Sequence, residues 1–321
     1  MSLAQVLGRL PSLAREAVIV GTETADDAGV VRLPDGTALV ATVDFITPLV
    51  DDPRAFGAIA AANSVSDIHA MGAKPILALS VACFPSKDWP LETLAEILAG
   101  GAEKLGEAGV PVVGGHTVED PEMKIGYAVV GLAQEASLWR NSTARTGDRL
   151  FLSKPLGTGI IAAANRKGVS LGDAWVRAVA SMQALHLAVL SVIEPADVHA
   201  ATDISGFGLA GHAAEMARGS NATLRIRARD LPLFPGVVEL ARRGFHTRAL
   251  GPNRDYAAPI LVASTVDAGL VDVIHDAQTS GGLLISVDPA SRTASRLAAR
   301  PDLATEVGVV ESRSEANLII E

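Results

Sequence analysis

Several carboxylates stand where the chain is otherwise apolar or small. Asp44 closes a strand-like run at residues 38–43, Asp67 lies inside FGAIAAANSVSDIHAMG, Asp203 ends HAATD, and Asp26 and Asp27 stand at a turn before a strand. Hard cations such as Mg²⁺ take oxygen ligands from a few carboxylates and from substrate phosphates, and this set can provide them. Asn63 is four residues before Asp67 and shares its helical face with Phe56 and Ala60. A carboxylate on so apolar a helix is costly unless a cation or several donors meet it.

Three glycine-bearing loops accompany the acids. Gly114, Gly115, His116 and Thr117 follow a short strand at 110–113, and exposed amides there suit a phosphate or a ribose oxygen, although a plain tight turn explains them equally. GFGLAG at 206–211 fits the dinucleotide pattern, with Asp230 downstream at about the expected spacing of some 20 residues. Against a nicotinamide-dependent oxidoreductase, Asp203 directly in front would repel a pyrophosphate, and no regular βαβ series surrounds the loop. DAQTSGG at 276–282 is a third polar loop, open to structural and ligand roles alike. His186 and His212 read as satisfied core histidines, Cys83 as a small core residue, and Trp89, Trp139 and Trp175 as packing residues.

The elements that must hold these residues can be read around the central helix. Asp52 can cap its first amides, Pro53 suits its first turn, and it should stop near Gly72. Its faces are nearly all apolar or small, so protein should cover most of them. Strands are expected at 75–84, 124–132 and 198–202, and helices at 91–108 and 171–192. The pattern restarts after a natural division between 134 and 146, giving domains 1–140 and 141–321. Strands and helices alternate irregularly, which indicates an α+β chain.

The 321 residues are 49% hydrophobic and carry a formal charge of -9, without any Lys/Arg run. That excludes a nucleic-acid surface, and any anionic substrate must be met by metal ions or backbone amides. One cysteine excludes a disulfide framework and a zinc-finger spacing. No apolar run is long enough to span a membrane and no signal-peptide layout is present, so a soluble, cytoplasmic protein is expected.

The motifs TADDAGV, TVDFITPLVDDP, FGAIAAANSVSDIHAMGAKP, VGGHTVEDPE, NSTARTGDRLFLSKPLGTG, ATDISGFGLAGHAAEMA and DAQTSGGLL resemble, in order and spacing, the selenophosphate synthetase (selenide, water dikinase) family. This belongs to the aminoimidazole ribonucleotide synthetase-like superfamily. The resemblance implies a two-domain α+β protein with mixed sheets packed with helices, whose N-terminal domains pair in a homodimer. It implies conversion of selenide, ATP and water to selenophosphate, AMP and phosphate, with Mg²⁺. Asp26, Asp67 and Asp203 match the metal-binding aspartates, Asp26 also having a catalytic role. Glu23, Thr24, Ala25, Asp44, Gly115, His116 and Thr117 match nucleotide contacts, and Thr42, Asn63 and Gly114 join them as ATP-binding candidates. The family carries a Gly-rich segment with Cys or selenocysteine and then Lys before its first helix, whereas no lysine precedes Lys74 here. The chain is therefore expected to bind Mg-ATP but to make little or no selenophosphate. A non-catalytic nucleotide-binding paralogue and a thiamine-monophosphate kinase-like enzyme are the alternatives. GPNRDY at 251–256 departs from the family pattern and is left outside the site.

Overall fold

The central helix α1 (Pro53–Ala70) begins as its sequence dictates. Asp52 accepts the amide of Ala55 at 2.8 Å, and Pro53 occupies the first turn. From Phe56 to Ala70 every residue is buried except Asp67. A helix half of whose residues are alanine, glycine or serine can be approached closely, and other elements pack around it.

The structure, a computed structural model, describes residues 16–22 and 25–321. In the first half, β1 (Val18–Val20), β2 (Gly29–Arg32), β3 (Thr37–Ile46), β4 (Lys74–Phe84), β5 (Val112–Glu119) and β6 (Lys124–Gln134) form a sheet of order β1-β2-β3-β6-β4-β5. Its neighbours are antiparallel except for the parallel pair β4 and β5. Alternation along β3 turns Val40, Thr42 and Asp44 toward α1 and leaves Val43 and Phe45 exposed on the opposite face. Helix α2 (Leu91–Glu107) packs beside α1.

The second half contains a seven-stranded sheet of order β10-β13-β9-β12-β7-β11-β8. Its strands are β7 (Arg149–Leu152), β8 (Val198–Asp203), β9 (Ala222–Ile226), β10 (Ile260–Val262), β11 (Leu283–Val287), β12 (Thr305–Ser312) and β13 (Leu318–Ile320). The pairs β10/β13 and β13/β9 are parallel and the others antiparallel. Helices α3 (Thr158–Arg166), α4 (Asp173–Gln183), α5 (Leu187–Leu190), α6 (Gly208–Gly219), α7 (Val237–Arg242), α8 (Leu250–Ala257), α9 (Ala268–His275) and α10 (Arg292–Ala298) complete it. The edge strand β8 and helix α4 lie against α1, so that helix is the floor of one half and the wall of the other. The two mixed sheets with packed helices are the α+β architecture expected from the sequence. Among the described residues no helix is long and apolar enough to cross a membrane.

Three expectations are corrected. Gly114 to Thr117 form no turn but lie within β5, where the second glycine is needed because a Cβ at Gly115 would stand 2.1 Å from the Ser80 hydroxyl. The helix expected over 171–192 breaks: Ala184 is extended, and its carbonyl accepts the Lys154 ammonium at 2.7 Å. Trp89 is 52% exposed and is no core residue, whereas Trp139 is buried against Gly72. Cys83 is half-buried on β4.

Gly57, Gly100 and Gly101 set how near α1, α2 and β6 can come. A Cβ on Gly57 would lie 1.8 Å from the Ile97 carbonyl oxygen. Gly57→Ala should therefore lose more to overpacking than the roughly 1 kcal/mol that alanine gains in a helix, for a net destabilisation of about 1–2 kcal/mol by urea unfolding.

Candidate active site

Asp67 leaves α1 on the side where β8 crosses it, and two further carboxylates converge there. Asp203 is the last residue of β8, and Asp27 lies in the segment leading into β2. Oxygens of Asp27, Asp67 and Asp203 all lie within 4.8 Å of one another. Ligands of an octahedral Mg²⁺ at about 2.1 Å stand roughly 3–4 Å apart, so shifts of well under an ångström suffice to coordinate one ion. One Asp27 oxygen, Oδ2, is buried and has no partner. A buried carboxylate oxygen left over among two other carboxylates fits a cation.

Each triad member is held by a hydroxyl from a different element. Thr42 Oγ1 on β3 donates to Asp67 Oδ2 at 2.5 Å, Ser66 Oγ on α1 to Asp203 Oδ2 at 2.6 Å, and Thr202 Oγ1 on β8 to Asp27 Oδ1 at 2.8 Å. Asp44, a fourth acid, accepts the amide of Asn63, whose own Oδ1 accepts the Ser280 backbone N–H at 3.0 Å. These donors offset part of the desolvation but leave the repulsion. Burial first, then the neighbouring carboxylates, push Asp27 and Asp67 well above the usual carboxylate range, and burial together with Asp203 raises Asp44 to about 6. Asp203 is raised by burial and pulled back by His212, the Ser66 hydrogen bond and Lys154. Lys154 is itself buried, which lowers its ammonium to about 7.

The candidates read from the sequence divide as follows. Thr42, Asp44, Asn63, Asp67 and Asp203 come together. The carboxylate that joins Asp67 and Asp203 is that of Asp27, not Asp26. The Asp26 Oδ1 accepts the Asn141 backbone N–H at 2.7 Å, while Asn141 Nδ2 donates to the Ala25 carbonyl at 2.7 Å. Glu23 and Thr24 lie outside the described residues. Gly114, Gly115, His116 and Thr117 lie on β5, an edge strand three strand spacings from β3, or about 14 Å. An extended nucleotide can span that distance; a hydrogen bond cannot.

Residues that the sequence did not single out also build the site. Ser66, Thr202 and Lys154 carried no signal beyond polarity in apolar surroundings. Ser280, in one of the open polar loops, reaches Asn63 through its backbone. Residues 251–256 belong to α8, where Asn253 Nδ2 donates to the carbonyls of Gly206 and His275 and steadies the loop behind Asp203. The dinucleotide reading of 206–211 fails on topology: among the described residues β8 is an edge strand laddered antiparallel to β11, with no βαβ crossover, and Asp230 is engaged by Arg227 at 2.6 Å.

Two family descriptions match the chain, "AIR synthase related protein, N-terminal domain" over residues 25–133 and "AIR synthase related protein, C-terminal domain" over 145–321. The "Selenide, water dikinase" of Geobacter metallireducens is 47% identical over 272 residues, covering 85% of this chain and 79% of the relative. "Selenide, water dikinase 2" of Peptoclostridium acidaminophilum is 42% identical over 321 residues, covering 99% and 92%. The chain belongs to the selenide, water dikinase family. Its fold is also that of thiamine monophosphate kinase from Aquifex aeolicus (18% identity, TM-score 0.66, 92% of this chain and 91% of that one). A hydrogenase maturation protein HypE in complex with ATP is similar as well (22%, 0.67, 88% and 81%). At such identities those neighbours share architecture, whereas the selenide, water dikinases are similar in sequence across most of the chain.

The raised carboxylates set a pH dependence for the stability of this protein. A carboxyl with a raised folded pKa contributes no penalty below its unfolded value and destabilises increasingly as pH rises toward the folded one. In EDTA the unfolding midpoint should therefore fall as pH rises above about 4, across roughly pH 4 to 6 for Asp44, with Asp27 and Asp67 adding to the fall from the same starting point. Calorimetric scans at pH 7 should show Mg²⁺ reversing the loss, and Asp67→Asn should flatten the profile.

Proposed function

We propose that this protein is a Mg²⁺- and ATP-dependent phosphotransferase that makes selenophosphate from selenide, ATP and water, with AMP and orthophosphate as co-products. The observation that carries the reading is the clustering of Asp27, Asp67 and Asp203 around a buried, unpartnered oxygen, in a chain whose relatives are named selenide, water dikinase. Asp27, Asp67 and Asp203 would hold Mg²⁺, with Asp27 in the role that the family resemblance assigns to Asp26. The ion, when bound, supplies positive charge to phosphate oxygens and to the charge that spreads over them during phosphoryl transfer.

The chain's own residues do the positioning. Thr42, Ser66 and Thr202 each occupy one carboxylate oxygen with a hydrogen bond, which fixes the direction in which the remaining oxygens face. Asn63 ties Asp44 to the 276–282 loop, so a nucleotide meeting Asp44 also meets a loop of the second half held in register. Gly114 to Thr117 are assigned to the nucleotide rather than to the metal, because their strand lies beyond reach of the triad.

Homodimerisation belongs to the same proposal. Val43, Phe45, Leu79 and Val118 are 39–60% exposed on the face of the first sheet turned away from α1, and among the described residues no element covers them. A contiguous apolar sheet face of this kind fits a second copy of the chain.

Titration calorimetry should find ATP binding that requires Mg²⁺ and is lost in Asp67→Asn and Asp27→Asn but kept in Asp26→Asn. Loss with Asp26→Asn alone would return the metal to that residue. Phosphorus NMR with anaerobic selenide then tests the reaction: selenophosphate with equal AMP and orthophosphate supports it, and selenide-independent ADP formation overturns it. Light scattering should report a dimer that Phe45→Glu converts to monomer.

A further inference from the structure

The break between α4 and α5 lies directly behind the triad. Three residues, 184–186, leave helical geometry in a segment whose composition would have continued it, and each end of the break reaches a different part of the site. Ala184 presents its carbonyl to Lys154 Nζ at 2.7 Å. The same ammonium donates to the Ser280 carbonyl at 2.9 Å, and Ser280 in turn holds Asn63. At the other end His186, 3% exposed, places Nε2 at 3.0 Å from Ser66 Oγ, which lies 2.6 Å from Asp203 Oδ2.

We propose that His186 is a positioning residue for the metal site: through Ser66 it fixes the Asp203 carboxylate, and the break between α4 and α5 is what puts its ring there. The direction of the bonds follows from counting protons. Ser66 has one hydroxyl proton and gives it to the carboxylate, so the hydroxyl accepts from His186, whose Nε2 must carry hydrogen. Burial keeps the ring neutral, so it acts as a fixed dipole and adds no charge. A metal ligand held through one hydroxyl by a second residue is the arrangement in which that outer residue governs metal affinity while touching neither metal nor nucleotide. Lys154 supports the same break from the other end and ties it to the loop that steadies Asn63. The nearby His69 is no substitute: its ring is edge-on to His186 at 6.1 Å between centroids, and no bond links it to the triad.

The inference rests on the metal-ligand role proposed for Asp203, and the test separates the two. The Mg²⁺ concentration for half-maximal ATP binding is measured at saturating ATP, ATP affinity at saturating Mg²⁺, and the melting temperature in EDTA. His186→Ala and Ser66→Ala should raise the Mg²⁺ requirement about 10- to 100-fold, the usual consequence of removing such a partner, with ATP affinity at saturating Mg²⁺ unchanged. His186→Gln, whose amide can donate from near the Nε2 position, should restore most of the loss, and His186→Asn should not. If His186→Ala fails to fold, the comparison of Gln with Asn carries the test alone. Equal Mg²⁺ requirements for Gln and Asn, or a fall in melting temperature without a change in Mg²⁺ requirement, would overturn the inference. Asp203→Asn is the control: an unchanged Mg²⁺ requirement there sinks the site reading itself, whereas its loss beside unaffected His186 variants sinks only this proposal.

Discussion

Repulsion among three carboxylates in one buried seam is the constraint that the rest of the structure answers. Without a cation, Asp27, Asp67 and Asp203 are driven toward their protonated forms, and among the described residues no arginine is paired with any of them. The chain supplies neutral hydroxyl donors instead, one per carboxylate. Hydroxyls orient the oxygens without cancelling their charge, so the site remains suited to a hard cation and to the phosphates it brings. A guanidinium in the same place would have satisfied the acids and closed the site.

Helix α1 shows how the fold meets that constraint. Its alanines, serines and Gly57 let the first sheet, α2 and the second half approach closely, and the only gap left between Phe56 and Ala70 is at Asp67. Rigid surroundings matter here because mutually repelling groups would otherwise swing apart. The edge position of β8 matters equally, since a strand flanked on both sides could not turn its last residue onto a helix of the other half.

Much of this was legible in the chain. The cap at Asp52, the proline after it and the lack of a polar face announced a buried α1, and two acids at or near strand ends with one on the apolar helix foreshadowed the carboxylate cluster. What escaped was decided over long sequence distances. Asp26 and Asp27 are chemically identical neighbours, and the choice between them rests on Thr202, 175 residues away, and on Asn141, 115 away. The break at Ala184 depends on a lysine 30 residues upstream, while local composition favoured an unbroken helix. Gly115 was open between a tight turn and a loop approaching a ligand, but it is small because Ser80 crowds it from the neighbouring strand. Glycine signals either a bend or a close approach, and only the partner strand tells which.

The triad is divided between the halves: Asp27 and Asp67 come from the first, Asp203 from the second. A cation bound there is thus a fastener across a seam as well as a reagent. Its departure would leave three carboxylates that must take up protons to sit together, and its arrival would release those protons and join the two halves through one ion.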